Sequence, residues 1–377
     1  MLKRILEVTL VMLVAVWIFD SYKSHEPGSK YFQPITVVTS TPTVAETEKP
    51  ATTTTVAPST GSGQAKKVVV KAKAIVVAKT FDVIPVIPTP APPEPAPDFE
   101  KINNFTRGAT MNILCIAKGS ELSPISGTGI IISPDGLILT NAHVAQYLLL
   151  RNLYQKDFIQ CAIRTGSPAY PRYHVELVYI SPAWIEANKT ELKEQNPQGT
   201  GENDFAFLHI TDSIDGTPLP VFPYIPIDTR EVINVGEPVV LVSYPAGFLG
   251  GLSILQGLSV TSAVTTVQDV FTFKADTIDV IDVGGTVVSQ KGASGGAVVD
   301  RHGSLIGIIS TSSSGKTTSS RELNAITLSY ISRMLQNETG FTLPNFLSLN
   351  ISNFANSFQN TTAVNLTKIL TDELSKQ

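Results

Sequence analysis

Two cysteines and five histidines in 377 residues leave no room for a cysteine-rich zinc module or a dense disulfide scaffold. Lysine and arginine number 28 against 32 aspartates and glutamates, with no long basic run, so nothing points to nucleic acid or another polyanion as partner. Long apolar runs are equally scarce. Only one, at the N-terminus, approaches spanning length, which excludes a multi-span membrane protein; the absence of repeats excludes collagen and coiled coil. Proline is unevenly placed: 12 of the 25 lie between Ser21 and Glu100, a stretch that therefore cannot be regular helix or central sheet. Setting aside that stretch, the first 20 residues and the tail leaves roughly 240 residues (101–340), ample for one sizeable core.

Residues 1–22 begin with Lys3-Arg4 and continue through an apolar run, Ile5 to Phe19, broken only by Glu7 and Thr9. A cleaved signal peptide should end in small residues, but Trp17-Ile18-Phe19-Asp20 occupies that place. An uncleaved single-pass anchor is the favoured reading: Leu2 to Tyr22 just spans a bilayer, Lys3 and Arg4 stay cytoplasmic, and the remaining chain is extracytoplasmic. Residues 23–100 are rich in Thr, Ala, Val and Pro and end in Pro88-Thr-Pro-Ala-Pro-Pro-Glu-Pro-Ala-Pro97, which reads as a disordered linker. Within it, Lys66 to Lys79 carries five lysines among Val and Ala; this is either a contact for an anionic surface or, more simply, a solvated strand.

From Asn112 the pattern becomes short β-branched runs separated by Gly, Pro, Asn and Asp. Examples are Asn112–Ala117, Gly129–Ile132, Leu137–Leu139, Val175–Ile180, Phe205–Ile210, Pro238–Val242 and Ser304–Ile309. Many short strands predict an all-β barrel or sandwich rather than βα units, with one helix near Ser329–Glu338. The tail, 341–377, permits one or two amphipathic helices packed on the main unit.

Candidate chemistry begins at Lys291-Gly-Ala-Ser294-Gly-Gly-Ala. Glycines around a serine let a substrate approach closely and let successive N–H groups face one concavity, although a plain structural turn has the same composition. A serine hydroxyl needs an imidazole to take its proton, and the imidazole needs a carboxylate to fix its tautomer. Leu139-Thr-Asn-Ala-His143 and Asn203-Asp204-Phe-Ala-Phe supply both. The Gly-x-Ser-x-Gly elbow of α/β-hydrolases also fits, but it needs a His well beyond the serine, and only His302 follows. His174, His209 and His302 lack a second ligand at metal spacing, so neither metal nor cofactor is expected. Six Asn-x-Ser/Thr triplets are by-products of composition unless the cell glycosylates.

Gly127-Thr-Gly-Ile-Ile-Ile-Ser-Pro-Asp-Gly-Leu-Ile-Leu-Thr-Asn-Ala-His143 resembles the base-bearing segment of HtrA/Deg-type trypsin-like peptidases. Asn203–Leu208, Gly236–Pro245, Gly292–Ala297 and Gly303–Ser310 extend the resemblance over about 112–336. It implies a double six-stranded β-barrel (101–340) with a C-terminal helix. It also implies a catalytic triad of His143, Asp204 and Ser294, an oxyanion hole from the N–H groups of Gly292 and Ser294, and protein or peptide substrates. By the same resemblance Val288 lies at the base of the primary pocket and Ser310, Thr311 and Ser312 pair with substrate backbone, which implies small or medium apolar preferences.

The chain departs from the pattern in two ways. Ala293 stands where relatives carry a polar residue, so activation by a new N-terminal ammonium is not expected. Too few residues follow for a PDZ domain. Relatives often trimerise, but no segment here speaks for a homo-oligomer. Cys115 and Cys161 lie on separate expected strands and form a disulfide if the barrel brings their Cα atoms within about 7 Å; otherwise both are buried thiols. The competing function is a silent trypsin-fold binding module, tethered to the membrane, whose oxyanion loop stays collapsed.

Overall fold

The computed structural model describes residues 33–34, 96–119, 122–194, 199–247, 249–274, 276–312 and 322–376. The expected anchor (1–22), nearly all of the expected linker (23–100) and the Lys66–Lys79 segment lie outside the described residues. Among the described residues no helix is long and apolar enough to cross a membrane.

Six antiparallel strands close the first barrel in the order β2-β3-β4-β7-β6-β5. They are β2 (Thr110–Ala117), β3 (Ile125–Ile131), β4 (Leu137–Thr140), β5 (Ile159–Thr165), β6 (Tyr170–Ile180) and β7 (Ala206–Ser213). The apolar runs supply this barrel's buried residues: Leu137, Ile138, Leu139, Phe205, Phe207 and Leu208 are all fully buried. Cys115 stands directly opposite Cys161 on β2 and β5, with Cα atoms 4.0 Å apart, and the two form a disulfide.

The second sheet contains β8 (Pro238–Ser243), β9 (Thr261–Thr266), β10 (Asp269–Thr272), β11 (Val280–Asp282), β12 (Ala297–Val299), β13 (Leu305–Ser312) and β14 (Leu323–Thr327). A two-residue strand β1 (Gln33–Pro34) pairs with β10. Here the expectation of two closed six-stranded barrels needs correction. Only the first barrel closes; the second sheet is open, in the order β1-β10-β11-β14-β13-β12-β8-β9. Only Val267 and Gln268 separate β9 from β10, so the sheet turns a corner there without a hydrogen-bonded ladder joining its ends. Val239, Leu241, Ile281, Val298, Ile306 and Ala325 form its own buried core.

Helix α1 (Phe99–Gly108), capped by Asp98 accepting from Lys101 N at 3.0 Å, precedes β2. The short helices α2 (Ala142–Ala145), α3 (Pro182–Asn188) and α4 (Gly251–Gln256) sit in the connections. The expected late helix is α5 (Leu328–Thr339), started by the Thr327 side chain and stopped at Gly340, whose φ is 84°. The tail adds α6 (Leu343–Phe346), α7 (Ile351–Asn360) and α8 (Thr362–Ser375). These cover the first barrel: Phe346 packs 4.8 Å from Phe207, and Phe358 lies 5.3 Å from Tyr179.

Candidate active site

Strand β4 ends at Thr140, and Asn141 turns the chain into the helix that carries His143. Asn141 Nδ2 donates to the Asp204 carbonyl at 2.8 Å, which fastens this turn to the one before β7. Asp204 is 3 % exposed. Its Oδ2 lies 2.8 Å from His143 Nδ1, and its Oδ1 accepts the His143 backbone N–H at 3.0 Å. One carboxylate thus fixes both the ring and the backbone of the histidine. Burial works against the imidazolium, but Asp204 more than offsets it and Glu191 adds to the effect, so the His143 pKa is raised. Glu191, on the 3₁₀ turn Glu191–Lys193, is itself pushed up to about 7 by burial, against the opposing pull of His143.

Asp204 is held from the second sheet as well. Ser310 Oγ on β13 donates to Asp204 Oδ2 at 2.9 Å. Asn203 takes a positive φ of 58°, and its N–H donates to the Tyr330 hydroxyl at 3.0 Å. This serine was expected to serve substrate through its backbone; its side chain serves the acid.

Ser294 is half-buried between two tight turns. Ala293 N–H donates to the Gln290 carbonyl at 3.1 Å and Gly296 N–H to the Ala293 carbonyl at 2.8 Å. The third residue of each turn is a glycine with positive φ, Gly292 at +89° and Gly295 at +81°. A Cβ on Gly295 would stand 2.0 Å from the Thr128 carbonyl, so only glycine fits. Thr128 grips the segment from β3: its N–H donates to the Ser294 carbonyl and its Oγ1 to the Gly292 carbonyl, both at 2.8 Å.

The orientation of the Gly292 N–H follows from its peptide plane. The Lys291 carbonyl accepts the Ala246 N–H at 2.7 Å. In a planar trans peptide the C=O and N–H point opposite ways, so the Gly292 N–H is turned away from Ala246. By the same reasoning the Ser294 N–H points away from the Gly296 N–H that occupies the Ala293 carbonyl. Among the described residues neither Gly292 N–H nor Ser294 N–H finds an acceptor. Two free backbone donors beside a serine can receive a developing oxyanion. No hydrogen bond joins His143 Nε2 to Ser294 Oγ among the described residues, a contact that commonly tightens only with substrate.

Residues 127–308 match the family model of the trypsin-like peptidase domain. The chain is a serine endopeptidase with a trypsin-like domain. Its structure is similar to the crystal structure of Deg5, at 17 % identity and a TM-score of 0.41 over 63 % of this chain and 93 % of that one. It is also similar to the serine endoprotease from Yersinia pestis, at 19 % identity and a TM-score of 0.41 over 66 % of this chain and 70 % of that one. No curated sequence matches.

The remaining expected site residues divide. The backbone of β13 follows β14 on one side, while on the other Ile309 exchanges its bonds with Gly295 and Gly296. Ser310, Thr311 and Ser312 therefore continue beyond β12 with that edge unpaired among the described residues. Val288 does not line an open surface; it is fully buried in the second sheet's core with Ala293, and its neighbour Val287 is 54 % exposed. Thr128, Tyr330 and Ala246 escaped sequence reasoning. Only Thr128 left a signal, standing between Gly127 and Gly129.

Proposed function

We propose that this peptidase cleaves peptide bonds of extracytoplasmic proteins through a triad of His143, Asp204 and Ser294. His143 takes the Ser294 proton as the hydroxyl oxygen attacks the substrate carbonyl, then delivers that proton to the leaving amine. Water hydrolyses the acyl-enzyme by the same route in reverse order. Asp204 keeps Nδ1 of His143 protonated and stabilises the imidazolium without becoming protonated. Gly292 N–H and Ser294 N–H receive the oxyanion, a single such donor being worth roughly 3 to 4 kcal/mol. Substrate backbone adds to the open edge of Ser310–Ser312, and small or medium apolar side chains are preferred at the cleaved position.

The observation that carries this reading over the silent module is the Lys291–Ala246 bond at 2.7 Å, because a collapsed loop would turn the Lys291 carbonyl into the site. The sequence supports the rest of the placement: residues 1–22 anchor the enzyme, and the Pro-rich stretch within 23–100 follows as a linker that touches the second sheet at Gln33–Pro34. Comparing fragments released by wild-type cells with those from Ser294→Ala cells tests the reading. Wild-type-only fragments ending in small or medium apolar residues support it. Identical fragment sets, or ends dominated by Lys and Arg, count against it.

A further inference from the structure

Arg164, on β5 of the first barrel, is the only lysine or arginine that is buried among the described residues, at 1 % exposure. No carboxylate pairs with it there. Its guanidinium donates instead to four neutral acceptors: Asn112 Oδ1 at 3.2 Å and the carbonyls of Ala169 at 2.7 Å, Ile254 at 3.0 Å and Leu255 at 2.8 Å. Burying a cation without a counter-charge is unfavourable, so these hydrogen bonds must offset its desolvation, and they tie together the backbone segments that supply the acceptors.

Two of its acceptors close the α4 turn of the segment 244–258. That segment connects β8 to β9, so Arg164 reaches from the first barrel into a loop of the second sheet. Further bonds fix the same loop to the β5–β6 hairpin: Ala169 N–H to the Leu258 carbonyl at 2.7 Å, and the Tyr244 hydroxyl to the Gly166 carbonyl at 2.9 Å. Ala169, Tyr244, Ala246 and Leu258 pack into a small buried cluster of their own. The N–H of Ala246, at the start of this clamped segment, is the group that holds the Lys291 carbonyl.

We propose that Arg164 is the positioning residue of the oxyanion turn: it clamps segment 244–258 so that Ala246 N–H meets the Lys291 carbonyl and Gly292 N–H faces the substrate. Arg164 touches neither substrate nor triad; it acts only through the loop. The proposal rests on the triad reading above, and its test separates the two.

The full chain carrying Arg164→Met, Arg164→Lys, Arg164→Ala or Tyr244→Phe is compared with wild type. The readouts are fluorophosphonate labelling of Ser294, kcat and KM for succinyl-Ala-Ala-Pro-Val-p-nitroanilide, and urea unfolding. Arg164→Met is expected to lose about 100-fold in kcat and in labelling rate, with KM within about threefold of wild type, as for loss of one oxyanion donor. Its unfolding midpoint should fall, because four buried acceptors lose their donor, while the chain stays folded in the absence of urea. Methylguanidinium, but not methylammonium, should restore part of the kcat of Arg164→Ala. Tyr244→Phe, a milder loosening of the same segment, should lose a few-fold in kcat alone. Wild-type kcat in both Arg164→Lys and Tyr244→Phe overturns the proposal, as does loss of fold and activity together in Arg164→Met without guanidinium recovery in Arg164→Ala. An unlabelled wild type would instead sink the triad reading.

Discussion

Ser310 donates its hydroxyl to Asp204 Oδ2 at 2.9 Å, the same oxygen that faces His143 Nδ1 at 2.8 Å. A strand of the second sheet thereby reaches the acid of the first barrel, and the carboxylate shares its charge between two donors. Ser310→Ala removes a bond to a charged group, worth about 1.5 to 3 kcal/mol, and should lower kcat/KM by at least about tenfold. The undivided charge then favours the imidazolium, so the acid limb of the pH profile should move to higher pH. Both are read from kcat/KM against pH.

Glu191 predicts a shift of the opposite sign. His143 works as a base only when neutral, so activity falls as pH drops below its raised pKa. Glu191 contributes to that raised value and is itself ionised above about pH 7. Glu191→Gln removes the charge, lowers the His143 pKa and should move the acid limb to lower pH. An unmoved limb means that the Glu191 charge does not reach the imidazole.

Much of the site was legible because catalysis imposes residue types that fold alone does not. A serine among glycines, a histidine after Thr140-Asn141-Ala142 and an aspartate opening a buried strand are each weak signals that gain force in that order. The first barrel was legible because several of its strands carry unbroken apolar runs, such as Leu137–Leu139 and Phe205–Leu208, that end up buried. The second sheet was harder to read. Strand β9 is Thr261-Ser-Ala-Val-Thr-Thr266, half-exposed and polar, and three-residue strands such as β11 and β12 carry too little pattern to detect. Helix α1 was not expected, and its first two residues fell in the linker, although Asp98 before Phe99 is a capping signal. Groups acting through backbone, such as Ala246, leave no trace in side-chain identity.

Gly292 offers a sharper test of the oxyanion turn. With φ at +89°, a Cβ there would lie 2.8 Å from the Tyr244 carbonyl and 3.0 Å from Ala246 N. Gly292→Ala must re-form the turn, and kcat should fall by about 10²- to 10³-fold. KM should change little. Steady-state kinetics with the two constants resolved give the answer.

The tail contributes stability and not chemistry. Phe346 is fully buried against Phe207 and Phe354. Phe346→Ala should cost about 3 to 5 kcal/mol in urea unfolding, while kcat/KM per folded molecule stays at the wild-type value.

Fluorophosphonate labelling of the full chain tests the central claim most directly, because it requires an activated Ser294 and a formed oxyanion hole together. The account predicts stoichiometric, time-dependent labelling of Ser294 that vanishes in Ser294→Ala, slows sharply in Asp204→Asn and tracks the titration of His143. A wild-type chain that is folded yet unlabelled at every pH would contradict it.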